Sequence, residues 1–328
     1  VLILIRKFHD GLLSSDQKFD FLRRIRKNFK KIVYFDDSAS ASVIHYDILP
    51  HVDRYWKKSL FANIDQYTKR FYGGCLYADF YHRKFGIEDN PVFINESAPD
   101  SAELHKIKLA WSIGVGCFPT AESESFNYLY PTLKRMLTAT SVFQSTKVIG
   151  LIHTVYLVAM RKRLSRIIYS ELESKKLRQV SARFPTDLYR PSIGFQRSLY
   201  QSALEDHQDF LSGTVNYRQY QSELRAAVGT LSPFGWGEIC YRDFEAILSG
   251  SVLIKPCMAH LVCWPDIYAD DTSISVDWGG LGDLPELLDE AIETGDMRTR
   301  NAAARLLNCL DQCSDRAEDL LLDLERYE

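Results

Sequence analysis

Ser232–Pro256, SPFGWGEICYRDFEAILSGSVLIKP, is the stretch whose reading decides the fold. A Pro/Gly-rich turn opens it. A helical segment beginning near Gly237 follows and carries Arg242 and Glu245. Three residues separate these two, so they share one helix face. Gly250 stops the helix and turns the chain into the apolar run SVLI, which reads as a buried strand ending at Lys255 and Pro256. Strand ends of this kind form the edge of an α/β sheet where ligands bind. The amino end of a helix presents free N–H groups and a positive dipole, which suits phosphate. A carboxylate beside it can accept two hydrogen bonds from a diol such as ribose. From spacing alone, Arg242 and Glu245 also fit an ordinary surface ion pair.

Outward from this stretch, strands and helices alternate. Toward the amino end, Val1–Ile5 (VLILI) reads as a fully buried strand, Gln17–Lys30 as an amphipathic helix and Lys31–Phe35 as a second strand. Polar loops follow both strands. The first holds His9, Asp10, Ser15 and Asp16, and the second begins with Asp36 and Asp37. Residues 42–86, rich in aromatics and mixed charges, read as a helical layer with a turn at Gly73–Gly74. Lys106–Gly114 reads as a strand or short helix, and Lys147–Leu177 as a long helix with a basic stretch. In the second half, Ser192–Phe195 and Val215–Tyr217 read as short strands, and Tyr220–Val228 as a helix. ISVDW reads as a strand, and Leu284–Thr294 and Arg298–Glu328 as helices. The pattern is α/β, divided into residues 1–178, 179–304 and a terminal helical segment 305–328.

The composition excludes several classes. The 328 residues carry a net charge of −3, which argues against a dedicated nucleic-acid binder. Seven cysteines, odd in number and scattered, argue against a disulfide framework or a zinc site, and no metal or cofactor is expected. Val148–Met160, the longest apolar run at 13 residues, is too short to span a bilayer. Val1–Ile5 is too short for a secretory leader. These features predict a cytoplasmic protein. The basic stretch within 147–177 offers peripheral contact with a membrane face, or a solvated helix surface. There is no GxGxxG, no GxxxxGK[ST] and no DxD site.

The pattern PFGWGEICYRDFEAILSGSVLIKP resembles the donor-binding signature of glycosyltransferases with the GT-B fold. That resemblance covers about residues 232–268. It implies two Rossmann-like domains facing a central cleft, with a C-terminal helix crossing back. It implies a nucleotide-sugar donor, a glycan acceptor such as a polysaccharide, and a metal-independent transferase. Glu245 takes the ribose-binding position, with Arg242, Lys255 and Arg197 near the diphosphate and Gly237 and Glu238 lining the donor. His260 lies just beyond. In members of similar layout the loop after the first strand supplies the catalytic base, here His9 or Asp10, with Asp36 and Asp37 as rivals. Retaining members carry two glutamates eight positions apart. Here that earlier position is Gly237 and the nearest glutamate is Glu238, so inverting and retaining chemistry both stay open. A non-catalytic nucleotide-sugar-binding module and a sugar-nucleotide epimerase or hydrolase are the alternative expectations.

Overall fold

The computed structural model describes residues 1–5, 15–97, 101–110 and 146–326. Among them the chain is α/β and carries two parallel sheets. The first has the order β1 (Leu2–Ile5), β2 (Ile32–Asp36), β3 (Arg54–Lys57), β5 (Ile107–Leu109). The second has the order β11 (Ser273–Val276), β9 (Val252–Pro256), β8 (Ala227–Leu231), β6 (Leu177–Ser181), β7 (Phe210–Leu211). Between them, β4 (Ser59–Phe61) and β10 (Leu261–Cys263) form a two-stranded antiparallel ladder, one strand from each half of the chain. The helices are α1 (Ser15–Arg26), α2 (Leu76–Phe85), α3 (Thr146–Leu172), α4 (Pro191–Leu204), α5 (Tyr217–Ala226), α6 (Tyr241–Leu248), α7 (Leu284–Asp311) and α8 (Cys313–Glu325).

β9 shows why the apolar run forms a central strand. All five of its residues are buried, between β11 and β8. Gly250, just before it, adopts φ 65°, the left-handed backbone that ends α6 at low cost. β1 differs from expectation. Val1, Ile3 and Ile5 are exposed and only Leu4 is buried within it, because β1 pairs only with β2 among the described strands.

The region expected as a helical layer holds the main surprise. Arg54–Lys57 (RYWK) is an inner strand of the first sheet, buried at all four positions. A charged strand can be buried there because both cations have partners. Arg54 Nε lies 2.6 Å from Asp323 Oδ2 on α8, and Lys57 Nζ lies 3.0 Å from Asp36 Oδ2 at the end of β2. Neither acid is near its partner in sequence. Of that region only Leu76–Phe85 is α-helix. The expected turn is present, with φ 68° at Gly73 and 80° at Gly74.

Other boundaries moved as well. Ser192–Phe195 belongs to α4, started by Pro191 in the first turn, rather than to a strand. Residues 215–217 are not a strand; Asn216 caps α5, its side chain accepting from Gln219 N at 3.0 Å. The long expected helix ends at Leu172, and Leu177 opens β6. Within 106–114, Ile107–Leu109 is strand, and the part beyond 110 lies outside the described residues. No helix among the described residues is long and apolar enough to cross a membrane.

The two halves share one core. Tyr77, Ala78 and Tyr81 of α2 pack in a single cluster with Ile193, Phe234, Phe244 and residues of α3 and α7. Tyr77 Oη donates to Gly235 O at 2.6 Å, and Ser192 N and Oγ donate to the two oxygens of Asp89 at 2.9 and 2.6 Å. α7 runs unbroken under the second sheet, and α8 then packs Leu320 and Leu324 against Val33 and Trp56 of the first.

Candidate functional site

The order of the second sheet selects a place for a ligand before any side chain is considered. In sequence order its strands lie 2-1-3-4-5, so the connections diverge between β6 and β8. In open parallel sheets a crevice forms at that switch point, outside the carboxyl ends of the strands. The loops that leave those two strands are 182–190 and 232–240. The second leads directly into α6.

α6 begins at Tyr241, four residues later than the sequence predicts. Cys240 is its N-cap, and Asp243 Oδ2 accepts from Cys240 N at 2.9 Å, the returning half of a capping box. Gly237 is therefore not the helix start. It lies where the two halves meet. A Cβ built there would stand 1.8 Å from the Ala39 carbonyl oxygen, so only glycine lets the 232–240 loop approach the loop after β2.

Arg242 and Glu245 lie on one face, as their spacing predicts, but no ion pair joins them among the described residues. Tyr220 of α5 stands between. Its hydroxyl donates to Glu245 Oε2 at 2.7 Å and lies beside the Arg242 guanidinium. Burial raises the Tyr220 phenol above its ordinary pKa, and the Glu245 charge adds to the effect, so it stays a proton donor. Arg242 Nη2 donates to the Arg183 carbonyl at 2.8 Å, joining α6 to the loop after β6. Arg183 is itself clamped in two places by Glu223, at 2.7 and 3.0 Å. Glu245 is half-buried, and among the described residues its Oε1 accepts no hydrogen bond. A carboxylate with one oxygen held and one open, at a switch point and beside a guanidinium, can receive a hydroxyl pair from a bound ligand.

Two cations expected near the diphosphate are instead held by the protein. Lys255 is 1% exposed and its ammonium lies 2.8 Å from Asp243 Oδ1. Asp243 also accepts from Ser232 Oγ at 2.6 Å and Tyr268 Oη at 2.8 Å, which makes it the hub of a closed buried network. Arg197 is buried on α4. It donates from Nε to Phe234 O at 2.6 Å and from Nη1 to Pro185 O at 3.0 Å, and its guanidinium lies 4.4 Å from the centre of the Tyr189 ring. Desolvation lowers its pKa without freeing it for a ligand. Both residues are buried, and their polar atoms are engaged in holding the loops in place. Glu238 is also internal. Its oxygens accept from Ser40 Oγ at 2.9 Å and Ala41 N at 3.1 Å, tying the two halves together.

The carboxyl edge of the first sheet has its own charged group. Asp36 is fully buried and accepts from Tyr55 Oη at 2.8 Å, Ser38 N at 2.8 Å and Lys57 Nζ. Burial alone would raise its pKa. Lys57 and these hydrogen bonds outweigh that and bring it to about 2, which makes Asp36 a poor base. Asp37 is exposed. Next to Lys57, Lys58 is 3% exposed and has no hydrogen-bond partner among the described residues. Burial and the Lys57 charge bring its ammonium down to about 8, against the pull of Glu238, Asp37 and Asp36. His260 stands across the junction, its Nε2 4.0 Å from Glu238 Oε1 and its ring edge-on to Trp278. Burial lowers its pKa, keeping the ring neutral. His9 and Asp10 lie outside the described residues.

No known family model matches this chain, and no curated protein matches it. Tyr220, Arg183 and Lys58 were not found from sequence. Tyr220 reaches Glu245 from a different helix, 25 positions away, and carries no local motif.

Among the described residues, no group of three or more His, Cys, Asp or Glu side chains is placed to hold a metal ion.

Proposed function

We propose that this chain is a glycosyltransferase that moves a sugar from a nucleotide-sugar to a glycan acceptor, on two Rossmann-like units of GT-B type whose carboxyl edges flank a common cleft. The observation that carries the reading is the state of Glu245, with Oε2 fixed by Tyr220 and Oε1 open at the switch-point edge of the second sheet. In this reading Oε1 and Oε2 accept the ribose hydroxyls, and Tyr220 keeps the carboxylate oriented. Arg242 supplies the fixed positive charge nearest the diphosphate. Charge that develops on the leaving phosphate is stabilised by such a preorganised cation. Lys255 and Arg197 serve indirectly, by holding loops 232–240 and 182–190 in register. The acceptor is activated from the first sheet's edge by His9 or Asp10. Asp36 is unsuited to that task, being ion-paired and weakly basic.

The test is a thermal-shift screen with UDP, GDP, CMP and dTDP, followed by turnover assays with the sugar conjugate of whichever nucleotide binds. The reading expects one nucleotide to raise the melting temperature and its conjugate to be consumed. If no nucleotide shifts the melting temperature, the donor site is withdrawn. Binding without consumption favours a binding module that lacks the chemistry.

A further inference from the structure

One face of α3 holds the molecule together, and the other has no role in the donor site. Met160, Leu164, Ile168 and Leu172 recur at four-residue steps and are buried in the core that the two halves share. The opposite side leaves Val155, Val158, Ala159, Lys162, Arg166 and Tyr169 exposed. At 3.6 residues per turn these positions fall within a sector about 100° wide and about 21 Å long. Its apolar members are open to an unusual degree. Val155 is 61% exposed, Val158 63% and Tyr169 55%. The valines belong to the apolar run Val148–Met160, and the cations begin directly after it.

Charge on the same face has one sign. α3 contains a single acid, Glu171, against five cations. Glu171 is turned to α5, where it lies 3.6 Å from Arg225 Nε, and Arg161 is paired with Asp311 of α7. Lys162 and Arg166, in the middle of the exposed sector, make no ion pair among the described residues. The sector ends beyond Tyr169, where Glu173 of the following turn and Asp296 of α7 surround Arg300. α1 is the other basic helix, and it differs on both counts. Arg23 pairs with Asp20 at 2.5 Å and Arg26 with Asp53 at 2.7 Å, and none of the exposed large apolar side chains among the described residues belongs to it.

We propose that the Val155–Tyr169 face of α3 docks the protein on the surface of an anionic phospholipid bilayer. The combination of side chains selects that partner. Val155, Val158 and Ala159 enter the boundary between headgroups and acyl chains, and Lys162 and Arg166 lay their stems along it and reach the lipid phosphates. Tyr169 places a ring with a polar tip at the same level. A nucleic acid would use the cations and leave the valines in water. A neutral bilayer would leave the two cations without counter-charge. The contact lies on the surface, since no helix among the described residues is long and apolar enough to cross a membrane. The inference is independent of the donor site, and its test contains no nucleotide.

The full chain is mixed with vesicles of phosphatidylcholine, alone or with phosphatidylglycerol, and the bound fraction is measured by flotation. Vesicles with phosphatidylglycerol are expected to bind at least tenfold more tightly. Raising salt from about 0.1 M to about 1 M, which shortens the Debye length from about 10 Å to about 3 Å, should weaken that binding several-fold. Lys162→Glu/Arg166→Glu should weaken it at least tenfold, and Val155→Ser/Val158→Ser, which keeps the charge, several-fold. Both double variants should unfold near the wild-type midpoint, because the altered side chains are exposed. Arg24→Glu/Lys27→Glu, at the end of α1, should leave binding unchanged. Equal binding to the two kinds of vesicle, binding to neither, or tighter binding to a DNA duplex would overturn the proposal. So would loss of binding in the α1 variant with none in the α3 variants. Self-association of the chain that the valine variant abolishes, without vesicle binding, would assign the face to a second copy instead.

Discussion

The two sheets carry the same device at their carboxyl edges, and differ in what the lysine does. Each has a buried Asp–Lys pair, Asp36–Lys57 in the first and Asp243–Lys255 in the second. In the first, Asp36 collects Tyr55, Ser38 N and Lys57, and the lysine is a second hub. Lys57 donates to Asp36, to Ser40 O at 3.3 Å and to Val43 O at 2.7 Å, and so shapes the loop after β2. In the second, the aspartate is the hub, collecting Lys255, Ser232, Tyr268 and the N-cap of α6. Both pairs stand where ligands usually bind, and both are closed networks. The residues left with capacity for a ligand are their neighbours: Glu245 two residues beyond Asp243, and Lys58 one residue beyond Lys57. Charge at the ligand edge is therefore not itself a sign of ligand contact. What matters is whether the protein has already satisfied it.

Removing the hubs should give the largest effects. Asp243→Ala leaves Lys255 buried without a counter-ion, and Lys57→Ala does the same to Asp36. Breaking a buried pair from one side costs about 3–5 kcal/mol, measured by urea denaturation at pH 7. A cost below about 1 kcal/mol for both would mean that the networks are not closed.

Lys58 should behave in the opposite sense from Lys57. Its folded pKa, about 8, lies below its ordinary 10.5, so the unfolded chain binds the proton more tightly. Stability contributed by this group is lowest below pH 8 and rises with pH from about 8 to 10.5. Lys58→Met removes the penalty and should stabilise the protein by about 1–3 kcal/mol at pH 7, less at pH 10. A destabilised variant would show that Lys58 has a partner.

Asp36 sharpens the contrast from the acid side. Its folded pKa of about 2 lies below its ordinary 3.8, so its contribution is fully present above that value and is lost as pH falls through 3.8 toward 2. The loss amounts to about 2 kcal/mol. Asp36→Asn should flatten the urea midpoint over that range, and an unchanged acid limb in the variant would remove Asp36 from the account.

The smallest effect on stability, joined to a loss of binding, is expected at Tyr220. Tyr220→Phe loses one half-buried hydrogen bond, about 1 kcal/mol, and frees the Glu245 carboxylate to rotate. Nucleotide affinity should fall several-fold.

These contrasts also show what the sequence could reveal. The α/β class was legible because apolar runs such as Val252–Ile254 and the Gly250 stop follow local rules. The inner strand RYWK was not legible, because burial of Arg54 and Lys57 depends on Asp323 and Asp36, which are distant in sequence. Ser192–Phe195 was misread as a strand because a short apolar stretch after proline fits either state. At the site, the pairing of Arg242 and Glu245 on one face followed from spacing, but Tyr220 between them could not. Nor could sequence separate Lys255 and Arg197 from Arg242. All three are cations read toward the ligand edge, and only packing shows that the first two are enclosed.

The central claim is that Glu245 holds the ribose of a nucleotide-sugar. It is tested most directly by calorimetric titration of UDP, GDP, CMP and dTDP into the wild type and Glu245→Ala, with unfolding midpoints measured in parallel. The account predicts that one nucleotide binds the wild type, that Glu245→Ala weakens it at least tenfold, about 1.4 kcal/mol, and that stability changes by less than that. Equal affinity in the two proteins would contradict it.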